Sequence, residues 1–132
     1  RVKKYIDEIE AEAVELDTLL NDSHFITVHV PLLPQTKHMI STEEFNKMRK
    51  GVYIINAARG GVIDETALKE ALDSGKVQGA ALDVFESEPN PDEELISRVE
   101  VICTPHIGAG SVEAQRGNST IVAEKLINYF NN

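Results

Sequence analysis

The sequence has one cysteine, Cys103, among its 132 residues. An internal disulfide and a metal site built only from cysteines are therefore excluded. No apolar run approaches the roughly 20 residues that cross a bilayer, and the first residues do not have the pattern of a signal peptide. We therefore expect no membrane partner. A single free thiol fits a reducing compartment, and the cytoplasm is the expected location.

Basic residues are also scarce, with 13 Lys and Arg against 22 Asp and Glu and a formal net charge of -9. Nucleic-acid binding needs clustered Lys and Arg that displace counterions from phosphates. This sequence has no such cluster, so nucleic acid is not an expected partner. His24, His29 and His38 have no Cys or His at metal-ligand spacing, and we therefore expect no metal site.

The sequence does contain short β-rich runs that alternate with helical stretches. The predicted strands are 25–30, 52–55, 77–85 and 99–104. Ser41 and Asp64 are candidate N-caps of two intervening helices, and a last helix is predicted over 111–130. Alternation of this kind is typical of right-handed βαβ units. It predicts one α/β domain with a parallel sheet and flanking helices.

Candidate catalytic residues follow three of these strands. Arg59 comes after the second strand, Glu88 after the third and His106 after the fourth. Ligands of open parallel sheets bind outside the carboxyl ends of the strands. An imidazole there suits the removal of a hydroxyl proton during oxidation, and a carboxylate on its other nitrogen would orient it. The planar guanidinium of Arg59 suits a substrate carboxylate.

Structural interpretations of the same residues stay open from the pattern alone. His106 is equally compatible with a capping or packing role at a strand end. Arg59 has Asp64 and Glu65 as possible ion-pair partners, and Glu88 fits a solvated position in an acidic loop. The co-occurrence of three such groups on one edge of the predicted sheet favours the catalytic interpretation.

Three further features predict structure rather than chemistry. The Gly108-Ala109-Gly110 stretch resembles a dinucleotide fingerprint, but Glu113 stands at the third glycine position, so it is rejected as a pyrophosphate loop. The small residues Gly79 to Ala81 suggest a helix that approaches the third strand closely. Cys103 is expected to be a small buried apolar residue.

Four longer segments carry a family resemblance. They are 25–34 (FITVHVPLLP), 55–65 (INAARGGVIDE), 79–89 (GAALDVFESEP) and 104–109 (TPHIGA). In these segments the sequence resembles the D-isomer-specific 2-hydroxyacid dehydrogenases. The resemblance implies a Rossmann-like fold, NAD as cofactor, and a 2-hydroxy or 2-oxo acid as substrate. The expected acid is 3-phosphoglycerate, used in serine synthesis.

The resemblance also implies a role for each matching residue. Arg59 matches the substrate-binding arginine, His106 the catalytic histidine, and Glu88 the carboxylate that pairs with it. Asp83 matches the residue that hydrogen-bonds the nicotinamide amide. The nicotinamide pocket is expected to be lined by Ala57, Ala58, His106, Ile107, Gly108 and Ala109, and the adenosine half is expected near Val30 and Pro31.

The resemblance places the family's pyrophosphate loop and most of its substrate domain before Arg1. Residues 1–132 are therefore expected to form a single partial NAD-binding domain, its C-terminal portion, which binds NAD weakly and turns over nothing alone. Segment 25–30 would then be a bare sheet edge, which favours a homo-oligomer. The alternative from another class is a non-catalytic nucleotide-sensing or corepressor-like module on the same fold.

Overall fold

Four parallel strands form the sheet that positions the candidate site. The computed structural model describes residues 11–131; the ends of the predicted domain, residues 1–10 and 132, lie outside this range. The strands are β1 (Phe25–Val28), β2 (Val52–Asn56), β3 (Val77–Leu82) and β4 (Val101–Cys103), and they lie side by side in this order. Every neighbouring pair is parallel. The predicted α/β fold is confirmed.

Five helices accompany the strands within residues 11–131. They are α1 (Leu16–Asp22), α2 (Thr42–Lys47), α3 (Glu65–Asp73), α4 (Glu93–Ile96) and α5 (Val112–Phe130). The predicted caps are present. The carboxylate of Asp64 accepts the amide N–H groups of Thr66 and Ala67 at 3.0 Å each, and the Ser41 N–H donates to the Glu44 carboxylate at 3.1 Å. Ser41 and Asp64 therefore start α2 and α3, as their side chains predict.

Three predicted strands were too long. The partner of Val28 in β1 is Asn56, and Asn56 also pairs with Leu82 of β3. Because β2 ends at Asn56, the residues after Val28 and after Leu82 have no β2 residue to pair with. They therefore form loops. At the start of β4, Val99 is almost fully exposed in the connection from α4. These shorter strands lengthen the loops that carry the site.

The core lies between one face of the sheet and the helices. Leu20, Phe45 and Leu68 on the helices are buried together with Ile26 and Ile54 on the strands. Burying each such side chain contributes about 1.5–3 kcal/mol relative to leaving it exposed. This helix-covered face fixes the register of the strands, since a shift by one residue would turn its apolar side chains toward water.

The opposite face of the sheet is apolar but open within residues 11–131. Phe25 is 67% exposed and its ring stacks on that of Tyr53 with centroids 5.1 Å apart, and Ile102 is 71% exposed. A Cβ added at Gly79 would lie 3.2 Å from the Tyr53 ring. The carbonyl oxygen of Glu100 lies at 3.1 Å from the same Cβ position, so the close neighbours of Gly79 are strand residues and their flanks. The helix expected near 79–81 is α3, which contacts β3, and Ala80 is buried on that side.

The last helix has a different environment from the others. None of the 19 residues of α5 is buried. The helix starts and ends as predicted. Ser111 is its N-cap, and the Ser111 hydroxyl accepts the Ala114 N–H at 3.1 Å. In the part of the chain that the structure describes, no helix is long and apolar enough to span a bilayer.

Candidate active site

The end of β2 forms a tight turn that carries Arg59. The Asn56 Oδ1 atom accepts the Ala58 N–H at 3.1 Å, and its Nδ2 atom donates to the Arg59 carbonyl at 3.0 Å. The Arg59 guanidinium is exposed and donates to the Ala58 carbonyl at 2.5 Å. The alternative ion-pair partners have other contacts: Asp64 caps α3, and Glu65 accepts the Glu86 N–H at 2.7 Å. The Arg59 charge is therefore presented at the sheet edge.

Gly60 brings this turn against the loop after β3. A Cβ at Gly60 would lie 1.8 Å from the carbonyl oxygen of Phe85 and 2.3 Å from its carbonyl carbon. Side chains larger than a hydrogen atom do not fit at that distance. The Phe85 N–H in turn donates to Glu88 Oε1 at 3.0 Å. The backbone that carries Arg59 is thus in direct contact with the loop that carries Glu88.

Glu88 and His106 form a hydrogen-bonded pair. Glu88 Oε2 lies 2.8 Å from His106 Nδ1. The hydrogen bond with His106, followed by that from the Phe85 N–H, holds the pKa of Glu88 below its ordinary value. Glu88 is therefore ionised at neutral pH, and Nδ1 must carry the proton that it shares with the carboxylate. This arrangement leaves His106 Nε2 free to accept a proton.

The pair lies beside a cleft of about 380 Å³. Its other walls are Phe85, Pro89 and Pro105, with Pro91 further along. Pockets of roughly 300–1,000 Å³ with apolar walls and a few polar groups are typical small-molecule sites. The volume and the walls suit a small organic molecule placed against the imidazole.

Asp83 fixes the loop that carries His106. It is 7% exposed and accepts hydrogen bonds from the Thr104 hydroxyl at 2.5 Å and from the Ile107 and Gly108 amides at 2.8 Å each. Burial acts to raise the pKa of Asp83, but these three hydrogen bonds outweigh it, and the pKa lies below the ordinary value. One carboxylate at the end of β3 therefore organises the turn after β4.

The low pKa of Asp83 predicts a pH-dependent contribution to stability. Its hydrogen bonds stabilise the fold above the ordinary pKa of 3.8, and this contribution is lost as the pH falls through the lower value in the folded state. Asp83→Asn is expected to lower the free energy of unfolding at pH 7 by about 2 kcal/mol. It should also flatten the loss of stability at acid pH, measured by urea unfolding. Asp22→Asn, on the exposed end of α1, is the control and should change neither.

A second groove lies at the ends of β1 and β2. Its volume is about 310 Å³, and it is lined by His29, Val30, Pro31, Ala58 and Arg59. The remaining residues expected around a nicotinamide, Ala57, Ile107, Gly108 and Ala109, are exposed in the loops after β2 and β4. All of these loops follow the carboxyl ends of parallel strands and so share one edge of the sheet.

Two residues have a role at this edge that the sequence did not predict. Asn56 is a buried turn-forming residue, and Gly60 is a point of backbone contact. An asparagine directly after a strand is a recognisable signal for a turn closed by its side chain. The contact at Gly60 has no local signal, because its partner Phe85 is distant in the sequence. No group of three or more potential metal ligands is found among residues 11–131.

Comparison with known proteins shows which family the chain belongs to. Residues 1–108 match the family described as D-isomer specific 2-hydroxyacid dehydrogenase, NAD binding domain. The chain belongs to this family. The cofactor of this dehydrogenase domain is NAD. Its small side chains at the ends of β2 and β4 and the remaining acceptor capacity of the Asp83 carboxylate fit a flat ring that bears a carboxamide.

The relatives of this chain are named for several different substrates. It is 51% identical over 122 residues to the hydroxypyruvate reductase of Thermotoga maritima, covering 90% of this chain and 40% of that protein. It is 47% identical over 127 residues to the D-3-phosphoglycerate dehydrogenase of Archaeoglobus fulgidus, covering 96% and 24%. The chain therefore spans less than half the length of these curated relatives.

A solved structure supports the same fold. The crystal structure of a glyoxylate reductase from Paecilomyes thermophila superposes with a TM-score of 0.83 at 39% sequence identity. The superposition covers 90% of this chain and 36% of that one. The Rossmann-like description of the sheet and helices is thereby confirmed.

Proposed function

We propose that this chain supplies the catalytic edge of an NAD-dependent enzyme that interconverts a D-2-hydroxy acid and its 2-oxo acid. The observation that carries the proposal is the His106–Glu88 hydrogen bond of 2.8 Å beside an apolar-walled cleft. Arg59 comes from the neighbouring strand end, and its turn is in contact with the Glu88 loop. A base, its orienting carboxylate and an anion-binding group are thus collected on one edge.

Each residue has a distinct role in the proposed reaction. Bound NAD supplies the hydride acceptor in oxidation and the hydride donor in reduction. His106 Nε2 takes the hydroxyl proton of the substrate during oxidation and returns it to the carbonyl oxygen during reduction. The Glu88 carboxylate stabilises the imidazolium that forms, and Arg59 binds the substrate carboxylate with its planar fork. Most of the rate should come from holding these groups at reacting distance.

The cofactor is placed along the groove and loops at the strand ends. We assign the nicotinamide to the small surface of Ala57, Ala58 and the turn 106–109, with its amide toward Asp83. Oδ2 of Asp83 accepts one hydrogen bond from the protein, and a carboxylate oxygen can accept a second. Val30 and Pro31 then face the adenosine half.

The proposed acid is 3-phosphoglycerate, the substrate of serine synthesis, with hydroxypyruvate and glyoxylate as the competing possibilities. The names of the relatives support this set, since they include phosphoglycerate dehydrogenase, hydroxypyruvate reductase and glyoxylate reductase. These names indicate small acids with a carboxylate beside the reacting carbon, which is the feature that Arg59 would bind.

The deciding experiment follows NADH absorbance with phosphohydroxypyruvate, hydroxypyruvate and glyoxylate in turn. It uses the 132-residue chain and the full-length protein that contains it. Turnover of phosphohydroxypyruvate above the other two would support the phosphoglycerate assignment, and a preference for either of the others would replace it. Oxidation of NADH by none of them would favour the non-catalytic nucleotide-binding module.

Removing the charge of Glu88 should change the pH dependence of that turnover. Reduction requires protonated His106, and Glu88→Gln removes the negative charge that favours the protonated form. The alkaline limb of the pH–rate profile should therefore move to lower pH. Glu86→Gln is the matched control, because Glu86 contacts the Glu65 N–H rather than His106. Equal profiles for Glu88→Gln and the unaltered protein would contradict the role of Glu88.

We also propose a homodimer. Among residues 11–131, β1 is an edge strand of the sheet, and an exposed edge is a template for pairing with another chain. Phe25 on this strand adds exposed apolar surface. Size-exclusion chromatography with light scattering over a range of concentrations should give the mass of two chains, and a constant monomer mass would exclude this pairing.

A further inference from the structure

The side chain of Asn56 is almost fully buried at the end of β2, with 2% of the residue exposed. Its amide makes two hydrogen bonds, one with the Ala58 N–H and one with the Arg59 carbonyl. Its backbone carbonyl accepts the Asp83 N–H at 2.9 Å. Asn56 therefore joins the turn that carries Arg59 to the strand end that carries Asp83.

We propose that Asn56 is a positioning residue that sets Arg59 for the substrate carboxylate. The proposal rests on the proposed function of Arg59. The two hydrogen bonds close the turn directly before Arg59 and at Arg59 itself, so they determine where its long side chain starts. Contact between Gly60 and Phe85 limits the turn on the other side. Without the amide, the Arg59 carbonyl loses its partner and the turn is free to open.

The chemistry of the turn selects asparagine. The turn needs one acceptor for an N–H group and one donor for a carbonyl group at the same position, and a primary amide provides both. An aspartate keeps the acceptor but brings a negative oxygen against the Arg59 carbonyl. An alanine keeps neither. Asn56→Asp and Asn56→Ala therefore remove one and two of the hydrogen bonds, respectively.

Steady-state kinetics of the full-length protein test the proposal at saturating NADH. The KM of the 2-oxo acid should rise about tenfold for Asn56→Asp, the equivalent of one lost hydrogen bond, and by at least as much for Asn56→Ala. The kcat and the pH–rate profile should change little, because an interaction made equally with substrate and transition state acts on KM. Ile54→Val removes a buried methylene from the same strand and face. It controls for lost stability and should leave KM unchanged.

A KM of the 2-oxo acid that does not change in Asn56→Ala would overturn the proposal. So would an equal rise in Ile54→Val, since the effect would then follow stability alone. A fall in kcat with constant KM would also contradict it, because Asn56 would then act on the chemical step rather than on substrate binding.

Amide hydrogen exchange at Ala58, measured by NMR, tests the turn without any substrate. Exchange should be about tenfold faster in Asn56→Ala, which loses the acceptor of the Ala58 N–H, and close to normal in Asn56→Asp, which keeps it. If the unaltered protein reduces no 2-oxo acid, the proposed function fails, and this exchange pattern still decides whether Asn56 closes the turn. Equal exchange in all three proteins overturns the inference itself.

Discussion

Gly60→Ala is expected to abolish turnover and to lower the free energy of unfolding by about 3 kcal/mol. The added methyl group would lie 1.8 Å from the Phe85 carbonyl oxygen, which belongs to the backbone and has no rotamer by which to move away. The two loops must therefore separate. Separation would displace Arg59 from Glu88 and His106, and displacements of about 1 Å at a catalytic site can cost a hundredfold in rate.

Gly117→Ala is the matched control for this substitution. Gly117 lies in α5, and a Cβ added there meets nothing within 4 Å. Alanine is the better helix former, so this change should raise stability slightly, by at most about 1 kcal/mol. Urea unfolding and the NADH assay give both quantities. Normal stability in Gly60→Ala would show that the two loops are not in contact in solution.

His106→Ala is expected to lower kcat by about a hundredfold to ten-thousandfold, the usual contribution of a general acid–base group. Its affinity for NADH, measured by quenching of nucleotide fluorescence, should change much less, because the proposed role of the imidazole is proton transfer. The pairing with Glu88 is lost at the same time, so Glu88→Gln in the His106→Ala background should have little further effect.

His24→Ala is the control for the loss of an imidazole. His24 is exposed in the connection before β1, and its contact with β2 uses its backbone carbonyl rather than its ring. It should retain full activity. Turnover by His106→Ala at the rate of the unaltered protein would contradict the assignment of the base and would leave the hydrogen-bonded pair with a structural role.

Much of the fold follows from local signals. The Ser41 and Asp64 caps start α2 and α3 because the groups that satisfy a helix terminus lie within three residues of it. The positions of Arg59, Glu88 and His106 on one edge follow from strand direction alone, since parallel strands end at the same edge. These features need no knowledge of which distant residues touch.

The features that sequence reasoning missed depend on distant contacts. A Cβ at Gly79 would meet the Glu100 carbonyl oxygen and the ring of Tyr53 on the next strand, and a Cβ at Gly60 would meet the Phe85 backbone. The ends of β1 and β3 are set by the end of β2, since strand pairing stops when a partner turns away. Close approach between chain segments has no periodicity to reveal it, so it appears only in three dimensions.

The three groups of the proposed site come from the ends of three successive strands. No single strand, helix or hairpin contains two of them, so a partly folded chain would hold an incomplete set. In a small cooperative domain the strands are gained and lost together. In the full-length protein, the rate of the proposed reaction then reports the folded population of this domain: inactivation and unfolding of the sheet should coincide in one transition, with no active intermediate between them.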